Sequence, residues 1–304
     1  MKFSNEEQRR LVEVLREFSR TSKGKVYFVP NEGNAGDALI AAGMWCLFQK
    51  IGFQPIVCRA VDLPVGSYSI YAGGGNLIDA YDNCKNYLEI CLSRKASAAL
   101  VLPHTIRGNE EILSRLDGRF TLFCRETASF EWAKKAAPMA NVNTCEDMAF
   151  MLDLDWLKRE GKKPTVKFSF WKHLLGHPKQ LAKYLLWRRN KRSINPGSDG
   201  LLEIYRVDVE ATELKPKNPR HDLSNLYGSQ YLSREETLVV SQEFLDVIRP
   251  SKRVKTNRLH VAVGAALLNK ETVIFDNSYG KNSAIYYKSL TQYNNVRLDG
   301  VSRK

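Results

Sequence analysis

Asn257–Leu268 reads NRLHVAVGAALL, so Arg258 and His260 flank one leucine at the threshold of an otherwise apolar run. Two cation-capable side chains there suit an anionic ligand, whereas a solvated helix start is the competing reading. Arg125 and Glu126, in FCRETASF, stand at the end of a strand pattern. An arginine fork at a strand end can bind two oxygens of a carboxylate or phosphate, or simply pair with the local glutamate. NEGNAGDALI places Asn34, Gly36 and Asp37 where small residues would admit a ligand to a helix N-terminus. A tight turn capped by Asp37 explains the same residues. In YAGGGNLIDAY, a strand running into Gly73, Gly74 and Gly75 would leave bare backbone amides at a sheet edge, with Asn76 and Asp79 following. The spacing is neither GxGxxG nor a phosphate-binding loop ending in lysine, so neither a dinucleotide nor ATP is indicated. His104 and Thr105, in VLPHTIRG, mark another strand end, where a helix cap competes with ligand contact. Asp153 and Asp155 in MLDLDW match a metal-holding DxD pattern, but so short a pattern arises readily by chance. His173 and His177 are four apart, with Pro178 immediately after and no third ligand near, which argues against a metal site.

The elements that must position these residues alternate. VYFVP, PIVCRA, SYSIYAGGG, AALVLP, FTLFCRE and VNTCEDMAF read as short strands, and most stretches between them read as helices. That cadence predicts an α/β fold with a parallel sheet covered on both faces. LLEIYRVD and ETVIFDNS suggest a second, smaller unit of the same kind, in which KRVKTN reads as a turn into the helix carrying His260. The expected organisation is a Rossmann-like domain over 1–160, a connecting segment over 161–198 and a second Rossmann-like domain over 199–304. Leu11, Leu15 and Phe18 predict an amphipathic first helix, and the charged N-terminus lacks the apolar core of a signal peptide.

The 304 residues carry 46 basic and 33 acidic side chains, a net charge of +13, which implies an anionic partner. Gly161–Ser198 contains ten basic residues and no acid, interleaved with Phe168, Phe170, Trp171, Tyr184 and Trp187. Read as a helix from Pro178, this segment aligns Leu181, Tyr184 and Leu185 in one stripe, with Lys179, Lys183 and Arg189 or Arg192 toward other faces. Apolar residues among cations, with Trp at the boundary, suit an anionic membrane surface. A solvated basic loop or a protein-docking patch are the alternatives. Six cysteines without CxxC spacing predict free thiols in a reducing cytosol.

GNAGDALI, YAGGGNLID, FCRETAS, CEDMAF and NRLHVAVGAALL…VIFDNSYGK, in that order, resemble the polysaccharide pyruvyl transferase family. The resemblance covers most of 25–155 and 200–290. It implies a two-domain, glycosyltransferase-B-like fold that moves the enolpyruvyl unit of phosphoenolpyruvate onto a sugar as a pyruvate ketal, with no metal or nucleotide cofactor. It implies His260 as general acid and Arg258 and Arg125 as anion clamps. Lys281 becomes a further phosphate or carboxylate partner. Asp37, Asn76 and Asp79 would face sugar or donor, beside Asn34, Gly36, Gly74 and Gly75. Two places depart from the family pattern: NKETVIF lacks the usual small residue and proline, and PHT replaces a Gln/Ser-rich turn, which leaves the roles of His104 and Thr105 open. The implied setting is exopolysaccharide or capsule biosynthesis on the cytoplasmic face of the membrane, with a glycan acceptor that polyprenyl diphosphate could carry. A nucleotide-sugar glycosyltransferase is the nearest alternative. A nucleic-acid-binding protein is the non-enzymatic one, disfavoured because no RNP, KH or zinc-finger pattern is present.

Overall fold

The computed structural model describes residues 5–208, 213–214, 222–225, 227–229, 232–278 and 280–300. The first stretch of chain forms α1 (Glu6–Thr21), β1 (Val26–Val29), β2 (Gly33–Asn34), α2 (Ala35–Ile51), β3 (Ile56–Val57), β4 (Tyr68–Tyr71) and β5 (Gly74–Leu77). There follow α3 (Asn83–Ser93), β6 (Ala98–Ile106), α4 (Glu110–Leu113), β7 (Phe120–Cys124), α5 (Thr127–Ala136) and β8 (Asn141–Thr144). Three helices come next: α6 (Leu154–Lys162), α7 (Pro164–Gly176) and α8 (Pro178–Lys191). The remainder is β9 (Leu201–Ile204), β10 (Gly228–Ser229), α9 (Arg234–Ile248), β11 (Arg253–Thr256), α10 (Leu259–Leu267), β12 (Glu271–Ile274), α11 (Lys281–Lys288) and β13 (Val296–Leu298). Two compact units result: Met1–Asn31 with Gly43–Met151, and Glu32–Ala42 with Leu152–Lys304.

The first unit is built on a parallel sheet in the order β3-β1-β4-β6-β7-β8, with β5 also paired to the end of β6. All five residues of β7 and eight of the nine in β6 are buried, which is why these strands read as unbroken apolar runs. Asn5 caps α1 by accepting the Gln8 N–H, and the helix buries Leu11, Leu15 and Phe18 along the predicted stripe. All six cysteines are free, and five of them are buried. Within this unit, a Cβ on Gly43 would lie 1.8 Å from the Met148 carbonyl oxygen, so α2 packs directly on backbone there.

The second unit has its own parallel sheet, in the order β13-β12-β11-β9. Two of its strands depart from the sequence expectation. KRVKT is a strand rather than a turn: Val254 and Thr256 point inward, while Arg253 and Lys255 alternate outward. The cations hid a half-buried strand whose apolar positions are only two. Val296–Leu298, unassigned from sequence, closes the sheet edge.

The basic segment forms α7 and α8 within this unit. Val166, Phe170 and Leu174 of α7 are buried, as are Tyr184 and Trp187 of α8, whose rings stack toward Tyr227. The stripe expected from sequence is therefore corrected. Tyr184 faces the protein and Leu181 is half-buried, while Leu185 is exposed. Trp187 is a core residue, its indole N–H donating to the Leu223 carbonyl at 3.2 Å.

Candidate active site

In a parallel sheet the residues just beyond the strands' carboxyl ends are the ones free to meet a ligand. In the second unit that edge collects Arg206 after β9, Asn257–His260 after β11 and Asn277 and Lys281 after β12. Asn282, at the start of α11, donates through Nδ2 to the carbonyls of Asn257 (2.8 Å) and Phe275 (2.9 Å), which ties the two helix starts together. The N-termini of α10 and α11 thus lie side by side. At α11 the amides are already capped, that of Lys281 by Asn277 Oδ1 (2.7 Å) and those of Asn282 and Ser283 by Asp276 Oδ1 (3.1 Å each). The start of α10, with no carboxylate capping it among the described residues, is a helix end suited to an anion.

The order Arg-Leu-His distributes three tasks over one turn. Arg258 is buried and its guanidinium is engaged: Nε donates to Asp222 Oδ1 at 2.7 Å, Nη2 donates to Asp222 Oδ2, and Nη1 lies 2.8 Å from Asp208 Oδ2. Leu259 is core. His260, on the first turn of α10, is the one of the three that remains half-exposed. Asp208 also accepts from Arg206, at 2.8 Å from Nε and 3.1 Å from Nη2. Arg206, Asp208 and Asp222 were not singled out from sequence. Asp222 lies 36 residues from its arginine, and no local pattern announces such a pair.

Asn34, Gly36 and Asp37 belong to this same unit. Asn34 Oδ1 accepts the Gly36 N–H (2.7 Å) and the Asp37 N–H (3.3 Å), while Asp37 Oδ2 accepts the Asn34 N–H (2.9 Å). This reciprocal arrangement is a capping box, so the cap reading of Asp37 is the one the geometry supports. β2 pairs antiparallel with β10, which fixes the loop. A Cβ on Gly36 would sit 3.1 Å from His260 Nδ1 and 3.2 Å from His260 Cβ. Glycine at 36 is therefore what lets the imidazole lie against the loop.

In the first unit the corresponding edge gathers Asn31, Gly74–Asn76, His104, Thr105, Arg125 and Asp147. The triple glycine is not a stretch of bare amides: Gly74–Leu77 is strand β5, paired with His104 and Ile106. Its missing side chains make room instead. A Cβ on Gly74 would be 2.6 Å from Asn31 Nδ2, and one on Gly75 would be 2.6 Å from Arg125 Nη2. Asn76 Nδ2 donates to Asn31 Oδ1 (2.6 Å), which also accepts from the Tyr71 hydroxyl (3.0 Å). His104 Nε2 lies 3.1 Å from the Asn76 amide nitrogen and 2.8 Å from Asn76 Oδ1, and its tautomer decides which of the two it serves. Complete burial, reinforced by the charge of Arg125, lowers the His104 pKa to about 3, so the ring is neutral at physiological pH. Arg125 donates through Nε to Thr105 Oγ1 (2.8 Å) and through Nη1 to Asp147 Oδ2 (2.7 Å), all of them buried. Thr105 is thus an arginine-holding residue. Asp79 turns elsewhere, accepting the Asn109 N–H at 3.0 Å. Asp153 is the cap of α6, accepting the Trp156 N–H at 2.9 Å, which accounts for the DxD pattern without a metal. Among the described residues no helix is long and apolar enough to cross a membrane.

Comparison with known proteins bears on these two edges. A Bacillus subtilis (strain 168) protein named "Putative pyruvyl transferase EpsO" is 23% identical over 287 residues, covering 88% of this chain and 86% of that one. The crystal structure of an uncharacterized protein from Klebsiella pneumoniae subsp. pneumoniae NTUH-K2044 shares the fold. Its TM-score is 0.72 at 23% identity, over 98% of this chain and 100% of that one. The family profile described as polysaccharide pyruvyl transferase matches residues 34–279, a span that includes every site residue named above except Asn31, Lys281 and Asn282. Such a match does not favour a nucleotide-sugar glycosyltransferase, and it identifies the chain as a member of the polysaccharide pyruvyl transferase family, an enzyme that transfers pyruvate to polysaccharide.

Proposed function

We propose that the pyruvyl donor is phosphoenolpyruvate and that His260 is the acid that starts the reaction. The observation that carries this reading is the placement of His260. It is a half-buried histidine on the first turn of α10, with its Nε2 buried and its ring held against Gly36, beside a second helix N-terminus. Protonation of the donor's methylene carbon makes C2 an oxocarbenium-like electrophile, and a histidine imidazole is the side chain most often used to deliver such a proton. One sugar hydroxyl adds to C2, the C2–O bond to phosphate breaks, and a second hydroxyl closes the ketal. Of the two hydroxyl protons released, one restores His260 and the other leaves with phosphate, so the atoms balance.

The donor's anions are assigned to the α10 N-terminus, Lys281 and Arg258. Asp222 is fully buried, whereas the Asp208 side chain is 23% exposed. A ligand anion would exchange with Asp208 and leave the Asp222 fork in place, so Nη1 is the atom of Arg258 that meets the donor. The first unit's edge, with Arg125, Asn76, Gly74 and Gly75, is assigned to substrate binding, and His104 and Thr105 hold Asn76 and Arg125. Each unit is read as a Rossmann-like domain of a glycosyltransferase-B-like fold. The acceptor is a sugar of a polysaccharide or of a lipid-linked oligosaccharide precursor at the cytoplasmic face of the membrane. The ten cations of 161–198 support that location.

The test is phosphate release from phosphoenolpyruvate with a panel of glycosides, comparing wild type with His260→Ala. Turnover should fall by roughly 10²–10⁴-fold while the variant stays folded and still binds the donor. Near-normal turnover removes His260 from the chemistry. Release of nucleotide from a nucleotide sugar, without consumption of phosphoenolpyruvate, overturns the donor.

A further inference from the structure

Five of the fourteen large apolar side chains exposed among the described residues fall within α7 and α8: Phe168, Trp171, Leu175, Leu185 and Leu186. Phe168 and Leu175 are the most open, at 71% and 69%. At 100° per residue, Phe168, Trp171 and Leu175 form one stripe, roughly 130° around α7 from the buried Val166, Phe170 and Leu174. Leu185 and Leu186 lie similarly opposite the buried Tyr184, Trp187 and Asn190 of α8. α7 therefore has two apolar faces. The fold buries one; on the other, Trp171 leans edge-on against Phe170 and Tyr184 and keeps one side open, while Phe168 and Leu175 are left to solvent. Singly scattered apolar residues need no explanation, but a second ordered stripe on a helix does.

Charge narrows what covers it. Of the ten cations in this segment, Lys163 pairs with Glu160, while Arg188 and Lys191 pair with Glu243. Lys162, Lys167, Lys172, Lys179, Lys183, Arg189 and Arg192 are exposed, and the segment holds no acid. A second copy of this face would be repelled by the first, so the occupant is anionic. A polyanion alone would have no use for phenylalanine, tryptophan and leucine along one helix. A lipid surface takes both, with cations at the phosphates and apolar side chains in the acyl boundary. The helices have 13 and 14 residues, about 20 Å each, long enough to lie in an interface and too short to span it.

We propose that α7 and α8 form a docking edge for an anionic bilayer, with Phe168, Trp171 and Leu175 entering the acyl boundary. This rests on the reading of a membrane-borne acceptor and commits it to particular side chains. The full-length protein should float with vesicles of phosphatidylcholine and phosphatidylglycerol and remain unbound with phosphatidylcholine alone. Neutralising Lys167, Lys172 and Lys183 to glutamine should weaken binding on the order of 100-fold. Phe168→Ser with Leu175→Ser should weaken it roughly tenfold or more, without unfolding, because both side chains are exposed. Equal recovery with both vesicle types, or none with either, overturns the proposal. So does vesicle binding unchanged in the serine variant and abolished by a competing oligonucleotide, which marks a nucleic-acid surface. A dimer in light scattering that the serine variant splits, without vesicle binding, marks a self-association face and overturns it equally. Turnover with a soluble glycoside should be wild type in both variants. A wild-type protein that turns over but does not bind the anionic vesicles refutes only the docking edge, and one that binds them without turnover refutes only the pyruvyl-transfer reading.

Discussion

Replacing Gly36 with alanine probes the proposed chemistry without touching a functional group. Gly36 lies in the first turn of α2, where alanine is compatible with the backbone and should if anything favour the helix by up to about 1 kcal/mol. The added methyl, however, would stand 3.1 Å from His260 Nδ1, 3.2 Å from His260 Cβ and 3.0 Å from Asn34 Oδ1. An ordinary carbon contact is about 3.4–3.7 Å, so the imidazole must retreat by roughly 0.3–0.6 Å. If a misplacement of about 1 Å costs roughly 10²-fold, the expected fall in kcat is roughly 4- to 15-fold. Phosphate release under saturating phosphoenolpyruvate would measure it, and a thermal melt would show stability unchanged or raised. The signature is that split: a slower enzyme that is no less stable. Combined with His260→Ala, the glycine substitution should have no further effect, because its action runs through the imidazole. Wild-type kcat in Gly36→Ala, or full additivity with His260→Ala, would refute the claim that this loop positions the acid.

Two further outcomes follow from buried charge. Asp222→Ala should leave Arg258 without its two-point partner in the core, a loss of about 3–5 kcal/mol, seen as a melting temperature lower by roughly 6–20 °C; a shift under 2 °C or so would show that the pair contributes little. His104 stays neutral in the native state down to about 3, whereas the unfolded chain takes up a proton near 6.5. The unfolded state therefore binds more protons between those values. Stability contributed at neutral pH should decline as pH falls below 6.5, by about 2 kcal/mol at pH 5. Urea midpoints at pH 7 and 5, with NMR titration of the ring, would check this; an imidazole titrating near 6.5 in the folded protein contradicts it.

The alternation of short apolar strands with helices was legible in the residues, because side-chain periodicity and turn residues act locally. So was the placement of glycine, arginine and histidine at strand ends, because the strand patterns stop just before them. KRVKT escaped because its strand has only two inward positions, and the triple glycine because a strand lacking side chains looks like a turn. What lay beyond reading was the choice of partners. Arg258 could have been an open anion fork until Asp222, 36 residues away, was seen filling it. Arg125 likewise meets Asp147 across 22 residues, and Trp187, by composition an interface residue, is buried against Tyr227. Composition and spacing determined which side chains were available for binding anions and protons. Which carboxylate neutralises which arginine, and which aromatic face is left for solvent, depends on contacts distant in sequence, and only tertiary packing decides those.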